Sequence, residues 1–199
     1  MKSSALPAEA FHTFQSWFKE ANSHKDIKEA NAVNLATACR DGMPSNRMVL
    51  LKDYDEEGFV FYTNRNSYKG WQLRENPFAS LCFYWEPLAK QVRIEGFVAD
   101  VDVEEADEYF ASRPLKSRIG AWASSQSQPL DSQATLMKEI VKQTVRFATQ
   151  NVPRPEHWSG FRLVPCYVEF WQKGDFRIHQ RRSYVLNEED HWETHLLYP

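Results

Sequence analysis

The sequence predicts a mainly β protein with flanking helices, an α+β fold in which antiparallel strands follow one another through short turns. β-Branched and aromatic residues gather in short segments bounded by Asp41-Gly42, by an acidic turn ending at Gly58, by Glu86-Pro87 and by Asn187-Glu188-Glu189-Asp190. Helical periodicity is confined to the N-terminus and the middle of the chain. Strands joined this way favour an antiparallel sheet, and a sheet of this size removes its edges most easily by closing into a barrel.

Each element has its own signal. Pro7 to Asn22 sets Phe11, Phe14, Trp17, Phe18 and Ala21 on one face, which predicts an opening amphipathic helix over 7–22. The period then changes, and Ala32–Cys39, Arg47–Lys52 and Phe59–Thr63 read as strands joined by hairpin-like turns. Asn66-Ser67 caps a short helix that Asn76-Pro77 ends, because proline pushes the residue before it out of helical geometry. Ala79–Trp85 and Gln91–Val98 add two strands around Glu86-Pro87. An acidic helix over Val103–Ser112 stops before Pro114, and a second over Asp131–Thr149 carries Leu136, Ile140, Val141 and Val145 on one side. Between them Arg113–Leu130 reads as a polar connection. Phe161–Trp171 and Arg177–Leu186 return to sheet, and a last short strand ends near Tyr198. Six to eight strands, with no repeat, linker or low-complexity stretch, predict one domain over 1–199.

At 199 residues the chain can bury one sizeable core, and its net charge of -3 argues against a protein that coats nucleic acid. Cys39, Cys82 and Cys166 are dispersed and odd in number, which fits thiols in a reducing compartment rather than a disulfide framework or zinc site. The six histidines show no HExxH or clustered spacing, so no metal is expected. No long apolar run or signal-peptide pattern occurs, so the expected location is cytoplasmic with no membrane partner. GxSxG, P-loop and GxGxxG motifs are missing, which removes support for the usual hydrolase, nucleotide triphosphatase and Rossmann readings.

The stretch Phe170–Arg182 carries the strongest chemical signal: two aromatic residues run into Arg177, Arg181, Arg182 and His179. Arginine forks suit phosphate or carboxylate and histidine can pass a proton near neutral pH, although a solvated edge strand gives the same pattern. Arg47 and Lys52 bracket an apolar strand centre, either marking its ends at water or presenting cations to an anion. Tyr62-Thr63-Asn64 precedes Ser67-Tyr68-Lys69 at a helix start, where free backbone N–H groups and a lysine can receive a phosphate or simply form an ordinary cap. Gln91 opens a strand, and Gln126-Ser127 lie in a loop of neutral donors and acceptors. Tyr109, Arg113 and Ser117 recur at spacings of four and converge if the chain turns at Pro114. Glu29, Glu104 and Glu105 read as solvated faces.

In order and spacing, Arg47-Met48-Val49-Leu50-Leu51-Lys52, Phe61–Asn64, Asn76–Ser80, Phe83–Trp85, Arg93–Gly96, Tyr109–Pro114, Ile119–Trp122, Gln126-Ser127, Glu169–Gln172 and Arg177-Ile178-His179 resemble the pyridoxamine 5'-phosphate oxidase family from about Ala5 to the C-terminus. The resemblance implies a homodimer of FMN-binding split β-barrels with FMN at the subunit interface. It implies that Arg47, Met48, Val49, Leu50, Leu51, Lys52, Tyr62, Thr63, Lys69, Gln91, Gln126, Ser127, Trp171 and Arg181 hold FMN. By the same resemblance Lys52, Tyr109, Arg113, Ser117, Arg177, Ile178 and His179 receive substrate, with Arg177 and His179 as the catalytic pair against the pyridine ring. The implied reaction oxidises pyridoxine or pyridoxamine 5'-phosphate at C4' to pyridoxal 5'-phosphate, with O2 as final oxidant and H2O2 as by-product. A flavin oxidase of another ring acid, or a non-catalytic binder of FMN or pyridoxal phosphate, is the alternative. Retained Arg113, Ser117, Arg177 and His179 favour the oxidase.

The chain departs from the family pattern at four places. Tyr68 stands where arginine is common, Gln180 where aspartate is usual, and His195 where arginine closes the chain. Met1-Lys2-Ser3-Ser4 replaces an Arg-rich, tyrosine-containing opening. These departures imply weaker cofactor or substrate affinity.

Overall fold

Side-chain alternation decides which face of each strand enters the core of the computed structural model, which describes residues 5–199. In β1 (Ala32–Ala38) Val33, Leu35 and Thr37 point inward; in β4 (Phe78–Trp85) Ala79, Leu81, Phe83 and Trp85 do so. β2 (Pro44–Asp55), β3 (Gly58–Asn64), β5 (Lys90–Asp100), β6 (Trp158–Gln172), β7 (Gln180–Leu186) and β8 (Trp192–Leu196) complete an antiparallel sheet in the order β3-β2-β1-β4-β5-β6-β7-β8. β3 also pairs with β6, from Phe59 opposite Leu163 to Asn64 opposite Trp158, so the strands from β3 round to β6 close into a barrel. The long β6 then runs on to pair with β7, and β8 forms the free edge.

The predicted opening helix is α1 (Ala8–Ser23), and its Phe14 ring sits 4.9 Å from Phe59, 5.0 Å from Tyr54 and 5.5 Å from Phe83 in edge-on contacts that seal the barrel core. α2 (Tyr68–Glu75) begins where Ser67 Oγ accepts from the Gly70 N–H at 3.3 Å and ends before Pro77, as its caps predict. α3 (Val103–Ser112), α4 (Leu115–Ala123) and α5 (Gln133–Arg146) form a second layer around Phe110, Ile119, Phe147 and Trp158. That layer covers the outer face of β3, where Val60 packs on Val101 and Ala106.

Two expectations need correction. The polar connection 113–130 contains α4: Pro114 is extended at its N-terminus, while Leu115, Ile119 and Trp122 give a helical stripe too sparse to stand out among Lys116, Ser117 and Arg118. The strand expected from Arg177 starts at Gln180, because Phe176 and Arg177 adopt left-handed φ values of 53° and 65° in a tight turn. Gly174 permits that turn, since a Cβ there would lie 1.9 Å from Ile178 O. No helix is long and apolar enough to cross a membrane among the described residues.

Candidate active site

A cleft of ≈ 510 Å³ opens between the barrel and the helical layer. β2 contributes Met48, Val49, Leu50 and Lys52, β3 contributes Tyr62, Thr63 and Asn64, and α2 contributes Lys69. Tyr109, Arg113, Ser117, Gln126 and Trp158 face them. A register shift between Leu51 and Asp53 interrupts the β2–β3 ladder at Lys52, the kind of bulge that redirects a side chain. Leu51, alone of the predicted run, is buried at 3% exposure and faces the barrel core, so it can meet a ligand through its backbone only.

One wall is aromatic. Tyr62, Tyr109 and Trp158 form a cluster of nearly parallel rings, with ring centres 4.1 Å apart for Tyr62–Tyr109, 5.3 Å for Tyr62–Trp158 and 6.1 Å for Tyr109–Trp158. The Tyr62 hydroxyl donates to Glu105 Oε1 at 3.0 Å, and burial, reinforced by this carboxylate, raises its pKa well above the ordinary tyrosine range. Glu105, read from sequence as a solvated face, is therefore a half-buried partner of the wall. The Arg113 guanidinium lies 4.6 Å over the Trp158 ring, and its buried Nη1 has no hydrogen-bond partner among the described residues. Burial lowers the Arg113 pKa.

At a second point in the cleft Lys69 Nζ donates to Thr63 Oγ1 at 3.2 Å, Gln126 Oε1 at 3.3 Å and Ser67 Oγ at 3.5 Å. Burial first and the charge of Arg47 second lower its pKa. Among the described residues none of Arg47, Lys69 or Arg113 pairs with a carboxylate; their side-chain hydrogen bonds run to neutral groups. Partly buried positive charge without a counter-ion is costly, so this cleft suits anions at two places. The residues present therefore fit a phosphorylated ligand.

The remaining predicted residues assemble elsewhere on the chain. Gln91 lies opposite Trp171, and Trp171 opposite Arg181, so three strands present these side chains in one row on one face. Arg181 Nε donates to Glu169 Oε1 at 2.7 Å, and Glu169, 2% exposed, also accepts from Tyr167 at 2.9 Å and Arg93 at 3.1 Å. The Trp171 and His179 rings are 4.8 Å apart, and His179 Nδ1 accepts from Gly174 N–H at 3.3 Å. Arg177 and Ile178 are exposed on the preceding turn. None of these lines the first cleft; His179 and Arg181 instead border a ≈ 490 Å³ cleft beside Trp17 and Phe170. Ser127, with φ of 70°, borders a smaller hollow of ≈ 370 Å³ shared with Gln126, and Arg47 is turned toward Thr37 and Ser45.

Sequence reasoning missed Gln72, Glu105 and Trp158 as parts of this site or its support. Trp158 opens the strand that closes the barrel, a pairing between residues far apart in sequence that local periodicity does not reveal.

A split barrel with a flat-walled cleft and uncompensated cations defines a protein that takes planar, phosphate-bearing ligands. Within that class the chain belongs to the pyridoxamine 5'-phosphate oxidase family, whose model, described as pyridoxamine 5'-phosphate oxidase, matches residues 20–147. A second model, the pyridoxine 5'-phosphate oxidase C-terminal dimerisation region, matches 158–199. The chain is 49% identical over 192 residues to the pyridoxine/pyridoxamine 5'-phosphate oxidase of Mesorhizobium japonicum, covering 96% of this chain and 93% of that protein. It is 50% identical to the enzyme of the same name from Maricaulis maris, over 96% and 86%. Among solved structures it resembles PhzG from Burkholderia lata, crystallised with tetrahydrophenazine-1-carboxylic acid, at TM-score 0.90 and 30% identity over 97% and 94%.

Proposed function

We propose that the chain oxidises pyridoxine or pyridoxamine 5'-phosphate to pyridoxal 5'-phosphate, using FMN and O2 and releasing H2O2. The observation that carries this reading is the orphaned Arg113 Nη1 at one end of the aromatic wall and Lys69, with only neutral partners, at another point of the same cleft. Two separate phosphates satisfy two separate cationic points. Arg113, with Lys52, Tyr109 and Ser117, holds the substrate phosphate. Lys69 and Arg47, with Met48–Lys52, Tyr62, Thr63, Gln126 and Ser127, hold FMN, and family membership supports both assignments.

FMN bound here supplies the hydride acceptor. The chain's own part is to hold the substrate by its phosphate so that C4', which loses a hydride while its hydroxyl or amine loses a proton, sits in one orientation. In the amine case water then releases ammonia. Arg177 and His179 orient and polarise the ring, and Gln91, Trp171 and Arg181 supply further cofactor contacts. Since these five residues do not line the first cleft on their own chain, we assign them to a site completed across a homodimer, which the dimerisation-region match supports. A single functional domain in the cytoplasm fits the three free thiols.

The B. lata relative favours a second reading, a flavin oxidase of a ring carboxylic acid. The deciding experiment measures pyridoxal phosphate formation from pyridoxine 5'-phosphate with excess FMN together with O2 uptake, against an Arg177→Ala control. Aldehyde and O2 uptake that collapse together in the control are expected. Flavin binding without either would overturn the proposal in favour of the ring acid or a carrier role.

A further inference from the structure

Gln72 is fully buried in α2, at 0% exposure, and its side chain is crowded with partners. Its Oε1 accepts from Thr37 Oγ1 at 2.6 Å, Ser45 Oγ at 2.7 Å and Arg47 Nη2 at 3.2 Å, while its Nε2 donates to Cys39 Sγ at 3.3 Å. Arg47 is gripped in turn: Nη1 donates to Leu35 O at 3.3 Å and Thr37 Oγ1 at 2.5 Å, and Nη2 to Ser45 Oγ at 2.7 Å as well as to Gln72. Four hydrogen bonds thus occupy its two Nη atoms, and among the described residues Nε alone has no partner.

A half-buried arginine such as Arg47 is commonly held by a carboxylate, which fixes it and cancels its charge. Here every acceptor is neutral, so the orientation is fixed while the charge survives. We infer that Gln72 is a positioning residue that locks Arg47 and keeps its charge available, so that Arg47 works on the flavin phosphate mainly as fixed positive potential beside Lys69. The inference rests on the assignment of FMN to the Lys69 end of the cleft. The chemical consequence is selectivity: the amide at position 72 favours a phosphorylated flavin over riboflavin, which shares the ring but lacks the phosphate.

Gln72→Glu tests this, because a carboxylate can accept the same bonds from Thr37, Ser45 and Arg47 while neutralising the arginine. Binding of FMN and of riboflavin is followed by quenching of flavin fluorescence, and folding by thermal unfolding. The expected result is FMN affinity weakened about tenfold or more with riboflavin affinity unchanged. In an Arg47→Gln background the same substitution should then have little further effect on FMN. Equal weakening for both flavins, or an unchanged FMN affinity, would overturn the inference. Should Glu at 72 prevent folding, Thr37→Val, which removes an acceptor of Arg47, is read by the same FMN-to-riboflavin comparison. Failure of the cofactor assignment itself looks different: the unaltered protein would then bind riboflavin as tightly as FMN.

Discussion

Arg113 lies over Trp158, its guanidinium carbon 4.6 Å from the ring centre, and Trp158 in turn stacks on Tyr62 with an interplanar angle of 6°. The tryptophan therefore ties the cation assigned to the substrate to the wall of the cofactor end. Cation–π contacts of this partly desolvated kind contribute about 1–2 kcal/mol. Trp158→Leu should raise KM for pyridoxine 5'-phosphate roughly five- to thirtyfold at saturating FMN, with a much smaller change in kcat. A fall in kcat at unchanged KM would show that Trp158 does not act through Arg113.

Lys69 and Arg177 sit in different groups, and their substitutions should separate. Lys69→Ala should weaken FMN retention about tenfold or more while leaving turnover substantial once FMN is in excess. Arg177→Ala should leave FMN binding within about twofold and lower kcat/KM by roughly a hundredfold or more. Equilibrium flavin titration with steady-state kinetics checks both, and a reversed pattern would exchange the assignments.

The carboxylate of Glu169 is buried beneath Arg181, Arg93 and Tyr167. Burial alone would raise its pKa, but hydrogen bonds from Arg181 and Tyr167 together with the charges of Arg181 and Arg93 outweigh it, and the net shift is downward. A carboxylate with a depressed folded-state pKa stabilises the fold above its unfolded value near 4.5 and loses that contribution as pH falls through the folded value. Glu169→Gln should therefore cost about 2–4 kcal/mol at pH 7, and the gap between variant and parent should narrow below pH 4.5. Denaturant unfolding across this pH range measures it; a gap independent of pH would exclude the ionised form as the source of stability.

Gly96 lies where the β5–β6 register shifts, and a Cβ there would come within 2.0 Å of Val164 O. The clash is with backbone on the long strand that closes the barrel, so it cannot be relieved by turning a side chain. Gly96→Ala should destabilise by roughly 2–4 kcal/mol in denaturant unfolding. A loss under about 0.5 kcal/mol would mean the strands part there at little cost.

Local chemistry made much of the fold legible. The aromatic spacing of α1, the Ser67 cap and Asn76-Pro77 stop of α2, and the alternation of β1 and β4 each follow from neighbouring residues, and the structure reproduces them. α4 was hidden because its apolar stripe is thin, and the turn holding Arg177 because left-handed backbone at Phe176 and Arg177 has no side-chain signature.

The sequence by itself determined the barrel class, the order of its strands along the chain and the residue types that meet phosphate, because period, capping and charge are properties of adjacent positions. Only the tertiary structure decided which of those residues share a cleft. It set Arg113 over Trp158, turned Leu51 into the core, and placed Lys69 among Thr63 and Gln126 while sending Trp171, His179 and Arg181 to another face. Burial and the lack of a counter-ion arise from segments distant in the chain, and closure of β3 on β6 is what brings Tyr62 beside Trp158.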